Sequence, residues 1–281
     1  LLTQLDVDLI CARPDRLFWA RMGGARAVFA FRVLSGLTLS GRNLSDADFT
    51  GAILNEANLV GTKLDNASFF GADMQGANLS DASMRRADLR GSCLRGANLT
   101  GADLFEADLR EGTIASPDRD KGLRFHEHTA RSGDACGAIL AGANLERSRL
   151  SGVMATKADF SDAIMKDCKL VRANLKQANL SGANLAGADL SGADISGADM
   201  RDAVLIGAKT HGWTKGDADM TGALTDAPSG KSVSDLPYED MLRDHARWCE
   251  TGGAEGKPSV FDRADLRNLK SIRGYNLTAL S

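Results

Sequence analysis

The sequence predicts an all-β solenoid, a stack of coils with short α-helical elements at its ends. Two observations carry this. From Leu44 to Ile114 every fifth residue is apolar, and two residues before each of these centres sits a small one. In the 13 units centred on 49 to 109 the small residue is Ala eleven times, with Thr62 and Ser92 the exceptions. A second array, centred on 140 to 225, repeats the rule with Ala in 14 of 18 units. A period of five fits neither a helix at 3.6 residues per turn nor a strand alternating at 2.

Two inward side chains per five residues, closed four units at a time, give a coil of about 20 residues whose neighbours stack at about 4.8 Å. Leu then stacks on Leu and Ala fills the narrower inward position. Glycines such as Gly51, Gly61, Gly71, Gly91 and Gly101 fall at the corners, where a turn is needed. This accounts for the composition. Ala and the 30 Gly make up about a quarter of the chain, while aromatic residues are 5% and hydrophobic ones 43%. A core of this kind needs few large rings. The remaining positions are polar and face water, and no apolar run approaches the ~18 to 20 residues of a membrane span.

The repeated Ala-(Asp/Asn)-Leu units, cleanest from Ala173-Asn174-Leu175 to Ala198-Asp199-Met200, resemble the pentapeptide-repeat family, whose consensus is A(D/N)LXX. The resemblance runs from about Leu34 to Thr225. It implies a right-handed quadrilateral β-helix without enzymatic activity or cofactor. The family includes scaffold proteins and bacterial DNA mimics that bind DNA gyrase and modulate quinolone sensitivity, so a fold of this kind does not by itself fix a function.

The pattern divides the chain into an N-terminal helical cap (1–33), a first array (34–114), an interrupting loop (115–134), a second array (135–227) and a C-terminal helix with a partial coil (228–281). The step from Ile114 to Leu140 is five units plus one residue, so the phase slips. The loop between them offers Arg119, Lys121, Arg124, Phe125, His126 and His128 as a recognition element, or is a tolerated insertion. The ends share a motif: a short helix, a Gly-Gly stop (Gly23-Gly24, Gly252-Gly253) and a Val-Phe pair. The C-terminal helix, capped by Asp235 with Pro237 in its first turn, aligns Tyr238, Met241, Leu242, His245 and Trp248 at helical spacing. These elements either cover the open ends of the stack or form a homodimer contact. The chain begins at Leu1 rather than Met; a cytoplasmic location is expected, with a targeting segment left open.

No catalytic constellation stands out. His126-x-His128 with Cys136 matches no zinc spacing, so no metal site is expected. Cys168 takes an inward small position and belongs to the core, whereas Cys93 takes an outward position and reads as a surface thiol. Residues 20 apart stack on one side, which aligns Asp48, Ser68, Asp88 and Asp108 in the first array and Asp159, Asn179, Asp199 and Asp219 in the second. A further side carries Arg149, Lys169, Asp189 and Lys209. A DNA mimic needs a continuous negative rod, and these acidic stripes are short and interrupted by Arg90, Arg110 and Arg201. The basic side is too small for direct nucleic-acid binding. Another protein is the expected partner, with a topoisomerase as the alternative. All three Trp mark places of expected irregularity: Trp19 and Trp248 in the end elements, and Trp213 at a small position followed by Lys215 at a centre.

Overall fold

The computed structural model describes residues 2–18, 26–118, 122–226 and 238–259, giving the backbone alone at 12–18 and within 113–130. The chain divides into two compact units, Leu1–Leu224 and Thr225–Ser281. In the first, the residue before each centre forms a parallel bridge to its counterpart one coil further along, as in Thr38 to Asn58 to Asn78 to Asn98. Four such ladders, entered at Val28, Val33, Thr38 and Asn43, run the length of the unit.

The hydrogen bonds explain the consensus. The centre donates to the next coil (Leu59 N to Asn78 O, 2.7 Å) and the residue before it to the previous coil (Asn58 N to Leu37 O, 2.9 Å). The second corner residue also reaches the next coil (Gly61 N to Ser80 O, 2.9 Å), and the following N–H closes the corner (Thr62 N to Leu59 O, 3.1 Å). Of five amides only the one just after the centre lacks a backbone acceptor. An Asp or Asn before the centre accepts it: Thr100 N to Asn98 Oδ1 is 3.0 Å, and Ser181 N to Asn179 Oδ1 is 3.1 Å.

Inside, the Leu and Ala positions are buried through most of the stack, giving way to partly buried Leu37 in the first coil and Ala208, Ala218 and Met220 in the last. Phe29, Phe49 and Phe69 stack one above another, centroids 4.9 and 4.7 Å apart. At Val153 and Ala155 the small and large positions exchange sizes, and both remain buried, which conserves core volume. Inward Thr62 and Ser148 bond the carbonyls of Leu39 (3.1 Å) and Leu145 (2.6 Å). The second corner residue adopts φ near +60° whether it is Gly61 (+61°) or Lys157 (+59°), so glycine favours the corner without being required by it.

The coil begins one unit before the expected residue 34, because Ala27-Val28-Phe29 is itself a unit with Phe29 as its buried centre. Helix α1, Gln4–Phe18, covers this end. Thr3 and Asp6 cap its N-terminus reciprocally (Thr3 N to Asp6 Oδ2, 2.8 Å; Asp6 N to Thr3 Oγ1, 3.3 Å), and Val7 and Cys11 are buried. The Gln4 amide takes the place of a missing coil. Its Oε1 accepts from Thr38 N at 3.0 Å and its Nε2 donates to Thr38 O at 2.9 Å, while Leu2 N donates to Val33 O at 3.3 Å. Asp8 pairs with Arg42 at 2.5 Å. Gly23-Gly24 and Trp19 lie outside the described residues.

The interrupting segment is not an irregular loop. It forms an antiparallel hairpin of β1 (Gly112–Asp118) and β2 (Gly122–Arg131). Across it the ladders pass from Asp108 to Arg149 and from Cys93 to Asp134, one position more than twice the ordinary interval. The excess leaves the coil and the stack continues. An insert that is not a multiple of five cannot be wound in without turning inward residues outward. Ile114, expected as the last centre of the first array, therefore lies in β1, and buried Ala135 fills its place. The chain leaves and returns through two glycines. A Cβ on Gly112 would lie 2.9 Å from the Arg90 carbonyl, and one on Gly133 would overlap the Leu109 carbonyl oxygen.

The expected irregularity follows Trp213. The next residue, Thr214, still bridges Asp194 and the ring packs partly buried against the core. The centre position Lys215 is exposed, however, and the left-handed corner moves one residue earlier, to Gly216 at φ +53°. The second unit contains α2, Tyr238–Glu250. Gly252 and Gly253 follow it at φ +61° and +92°, the expected stop. Asp235 and Pro237 lie outside the described residues.

Asn98→Ala removes the acceptor of the orphan Thr100 amide and should cost about 1 kcal/mol, while Asn98→Asp should stay within about 0.5 kcal/mol of the parent, both read by denaturant unfolding. Gln4→Ala strips two hydrogen bonds from the first coil and should lower stability by about 1–2 kcal/mol in the same measurement.

Candidate functional site

The two stripes expected on separate sides form one ladder. Asp48, Ser68, Asp88 and Asp108 lead past the hairpin directly into Arg149, Lys169, Asp189 and Lys209. The second acidic stripe, Asp159, Asn179, Asp199 and Asp219, lies on a different ladder, continuing Thr38, Asn58, Asn78, Asn98 and Ile139. The six aspartates are thus divided between two sides, and the first three share theirs with all three basic residues.

Within the first ladder each aspartate is already engaged. Asp88 and Asp108 each hold the arginine two residues on through paired bonds: Arg90 Nε and Nη2 at 2.9 and 2.8 Å, Arg110 Nε and Nη2 at 2.9 and 2.7 Å. Asp48 pairs with Arg26 at 3.1 Å. Burial pushes the Asp108 carboxyl up, but the Arg110 guanidinium and backbone N–H, with Arg90 nearby, outweigh it and hold the group below the usual carboxylate range. Among the described residues Lys169, Lys209 and Arg172 make no ion pair, and Arg149 comes no closer than 3.9 Å to Asp108.

Two shallow clefts flank this ladder where the arrays meet. One, of about 610 Å³, is lined by Arg86, Arg147, Arg149 and Lys169 with Glu106, Asp108 and Asp167; the other, of about 460 Å³, by Arg90, Arg110 and Arg172 with Glu111, beside the point where the hairpin departs. Phe105 lies under Arg85 at 4.5 Å and near Arg147 at 5.9 Å. Arg86, Phe105 and Arg147 were not among the sequence candidates. They occupy corner positions that align only once the hairpin's point of departure is known.

Arg119 and Lys121 lie outside the described residues. Arg124, Phe125, His126 and His128 fall on β2, with their side chains undescribed. In the second unit Leu242 and His245 are buried, which removes them as contacts for another chain; Tyr238, Met241 and Trp248 are partly exposed. His245 Nδ1 accepts from Ser259 N at 3.0 Å, so the ring serves this unit's own packing. Cys93 is buried, not a surface thiol: its short side chain lies between Asp73 and Asp134 on the ladder, and Arg95 reaches past it to Asp134 at 2.6 Å. Cys168 is in the core as expected, and burial pushes its thiol up to about 12, which keeps it protonated and unreactive at neutral pH. Among the described residues no three His, Cys, Asp or Glu side chains group as metal ligands, and no helix is long and apolar enough to cross a membrane.

The sequence model of the family described as Pentapeptide repeats matches residues 33–69, 43–81, 82–112, 134–167 and 168–207, in eight copies. The chain belongs to the pentapeptide-repeat family. The match stops where the hairpin leaves the coil and resumes where it returns. Solved structures of pentapeptide-repeat proteins are similar to the chain. HetL of Nostoc sp. strain PCC 7120, a protein involved in heterocyst differentiation regulation, is 31% identical over 73% of this chain and 86% of its own, with a TM-score of 0.27. Rfr23 of Cyanothece 51142 is 29% identical over 47% and 85%, with a TM-score of 0.36. QnrB1, a plasmid-mediated fluoroquinolone resistance protein, is 19% identical over 80% and 97%, with a TM-score of 0.29. No curated protein matches the chain.

The pentapeptide-repeat aspartates also set an acid limit. Ser191, Ser196, Arg201 and Thr221 side chains, each two residues on, hold the Asp189, Asp194, Asp199 and Asp219 carboxyls below their ordinary value. Groups so lowered stabilise the fold above the unfolded-state carboxylate value, and that contribution is lost as pH falls through the lower folded values. The melting temperature should therefore be flat from pH 7 to 5 and fall below about pH 4. Asp199→Asn should shallow the acid slope in thermal melts.

Proposed function

We propose that the protein is a non-enzymatic scaffold that binds another protein through one side of a right-handed quadrilateral β-helix, the side running from Asp48 to Lys209. The observation that carries this reading is the change of sign along a single ladder, with Lys169 and Lys209 in no ion pair among the described residues, Arg149 at 3.9 Å from Asp108, and the hairpin rooted beside them. Carboxylates interleave with the cations in both clefts. Such a mixed surface suits a protein partner of complementary charge order better than a nucleic-acid backbone, which presents one sign throughout.

The rival reading is a topoisomerase-directed DNA mimic, and the row Asp159, Asn179, Asp199 and Asp219 favours it. Arg201 counts against it, pairing with Asp199 at 2.6 Å and lying 4.0 Å from Asp219. Protection of gyrase supercoiling from a quinolone, or its inhibition by micromolar protein, would replace the scaffold reading with this one.

The direct test is affinity capture with three baits: the full chain, a variant lacking 112–132, and Lys169→Asp. Removing that segment brings Asp108 and Arg149 to the ordinary ladder interval and should leave the coil folded. Lys169→Asp should reduce recovery of the captured partner at least about tenfold. Equal recovery with all three baits would overturn the role given to this side and to the hairpin.

A further inference from the structure

We propose that the same side of the coil pairs with itself in a second copy of the chain, antiparallel, about a two-fold axis lying across the ladder between Asp108 and Arg149. This rests on the reading of that side as an interaction surface and names its occupant.

Rungs of the ladder lie about 4.8 Å apart, so its eight positions from Asp48 to Lys209 span about 34 Å. A two-fold axis across the ladder, where the hairpin interrupts its numbering, reverses the order of rungs in the partner. Asp108 then faces the partner's Arg149, Asp88 its Lys169, Ser68 its Asp189 and Asp48 its Lys209. Three of the four levels bring opposite charges together. The fourth offers a hydroxyl donor to a carboxylate, and among the ladder residues themselves no level opposes like charges. Arg90 and Arg110, which hold Asp88 and Asp108, stand at the edge of the same side and would share these carboxylates with the partner's Lys169 and Arg149. Symmetry repeats each pair, which doubles the complementarity. Pairing about an axis along the ladder would instead set Asp108 on Asp108 and Lys169 on Lys169, so the charge order selects the antiparallel arrangement.

The corners carry two like-charged approaches. One corner column places Arg85 and Arg86 opposite Lys166 and Asp167, so Arg85 meets Lys166, but Arg85 is already held by Asp103 at 2.7 Å. In the other, Arg90 and Gly91 lie opposite Val171 and Arg172, which brings Arg90 near Arg172, and Arg90 is already held by Asp88 at 2.8 Å. Lys169 and Lys209 flank Asp189 on the ladder and act on it only at a distance, with no ion pair of their own among the described residues, so a partner's carboxylate at closer range would complete them.

The test is sedimentation velocity on the full chain at low and high salt, with thermal melting to show that each variant is folded. A salt-sensitive dimer is expected. Asp88→Lys alone and Lys169→Asp alone should each weaken association about tenfold or more, since the reversal acts twice. The double variant, and a one-to-one mixture of the two single variants, should associate again, because each restores Lys at 88 opposite Asp at 169. A monomer at about 100 µM in low salt, single variants that associate like the parent, or no recovery in the mixture would overturn the pairing. If the chain is monomeric while Lys169→Asp still loses the captured partner, self-pairing alone falls. If neither assay responds to Lys169→Asp, the reading of the side falls with it.

Discussion

The structure depends on one constraint: every coil must offer its neighbours the same hydrogen-bond rungs at the same positions. Four of the five amides in a unit find backbone acceptors, and the fifth is left to a side chain. That requirement favours an acceptor before the centre, a large apolar residue at the centre and a small residue two before it, and it imposes a left-handed corner. Hydrophobic burial supplies the driving force, but Leu and Ala alone would not choose this arrangement over a helix. The rung pattern makes period five the solution, and it makes any insertion an all-or-none matter. Residues either fill whole units or leave the coil.

The period, the inward positions and the helical ends were legible in the sequence because they are local and repeated. The core position of Cys168 followed from its place in the unit. What the sequence did not disclose came from long-range register. The slip between Ile114 and Leu140 was visible, but counting along a chain cannot say where it leaves a coil. Ile114 keeps the period-five rhythm while belonging to the hairpin, and Ala135, an unremarked small residue, takes its place. The same ignorance split one ladder into two stripes, since Asp108 and Arg149 are neighbours only when the hairpin is taken out of the count. Cys93 failed for a different reason. An outward position on a flat side is not open to solvent when the side chain is short and longer neighbours lean across it.

Charge in this protein has two layers. The recurrent carboxylates serve the backbone first, accepting the orphan amide two residues on, and this explains why an acidic row arises without any demand from a partner. Cations carry more information, because nothing in the coil requires them. Where they make no ion pair among the described residues, as at Lys169, Lys209 and Arg172, they mark the part of the surface that the fold itself does not explain.

Gln4 shows a further consequence. Its side-chain amide presents one donor and one acceptor to Thr38, the same two groups that a peptide bond of a preceding coil would present. A single residue on a helix thus imitates a strand and gives the stack a sealed first floor. Lengthening the protein by duplicating units is therefore polar. Coils added upstream of Val28 would have to displace this plug, while duplications within the stack inherit their partners above and below without altering either. The chain can change length in its middle and keep its beginning.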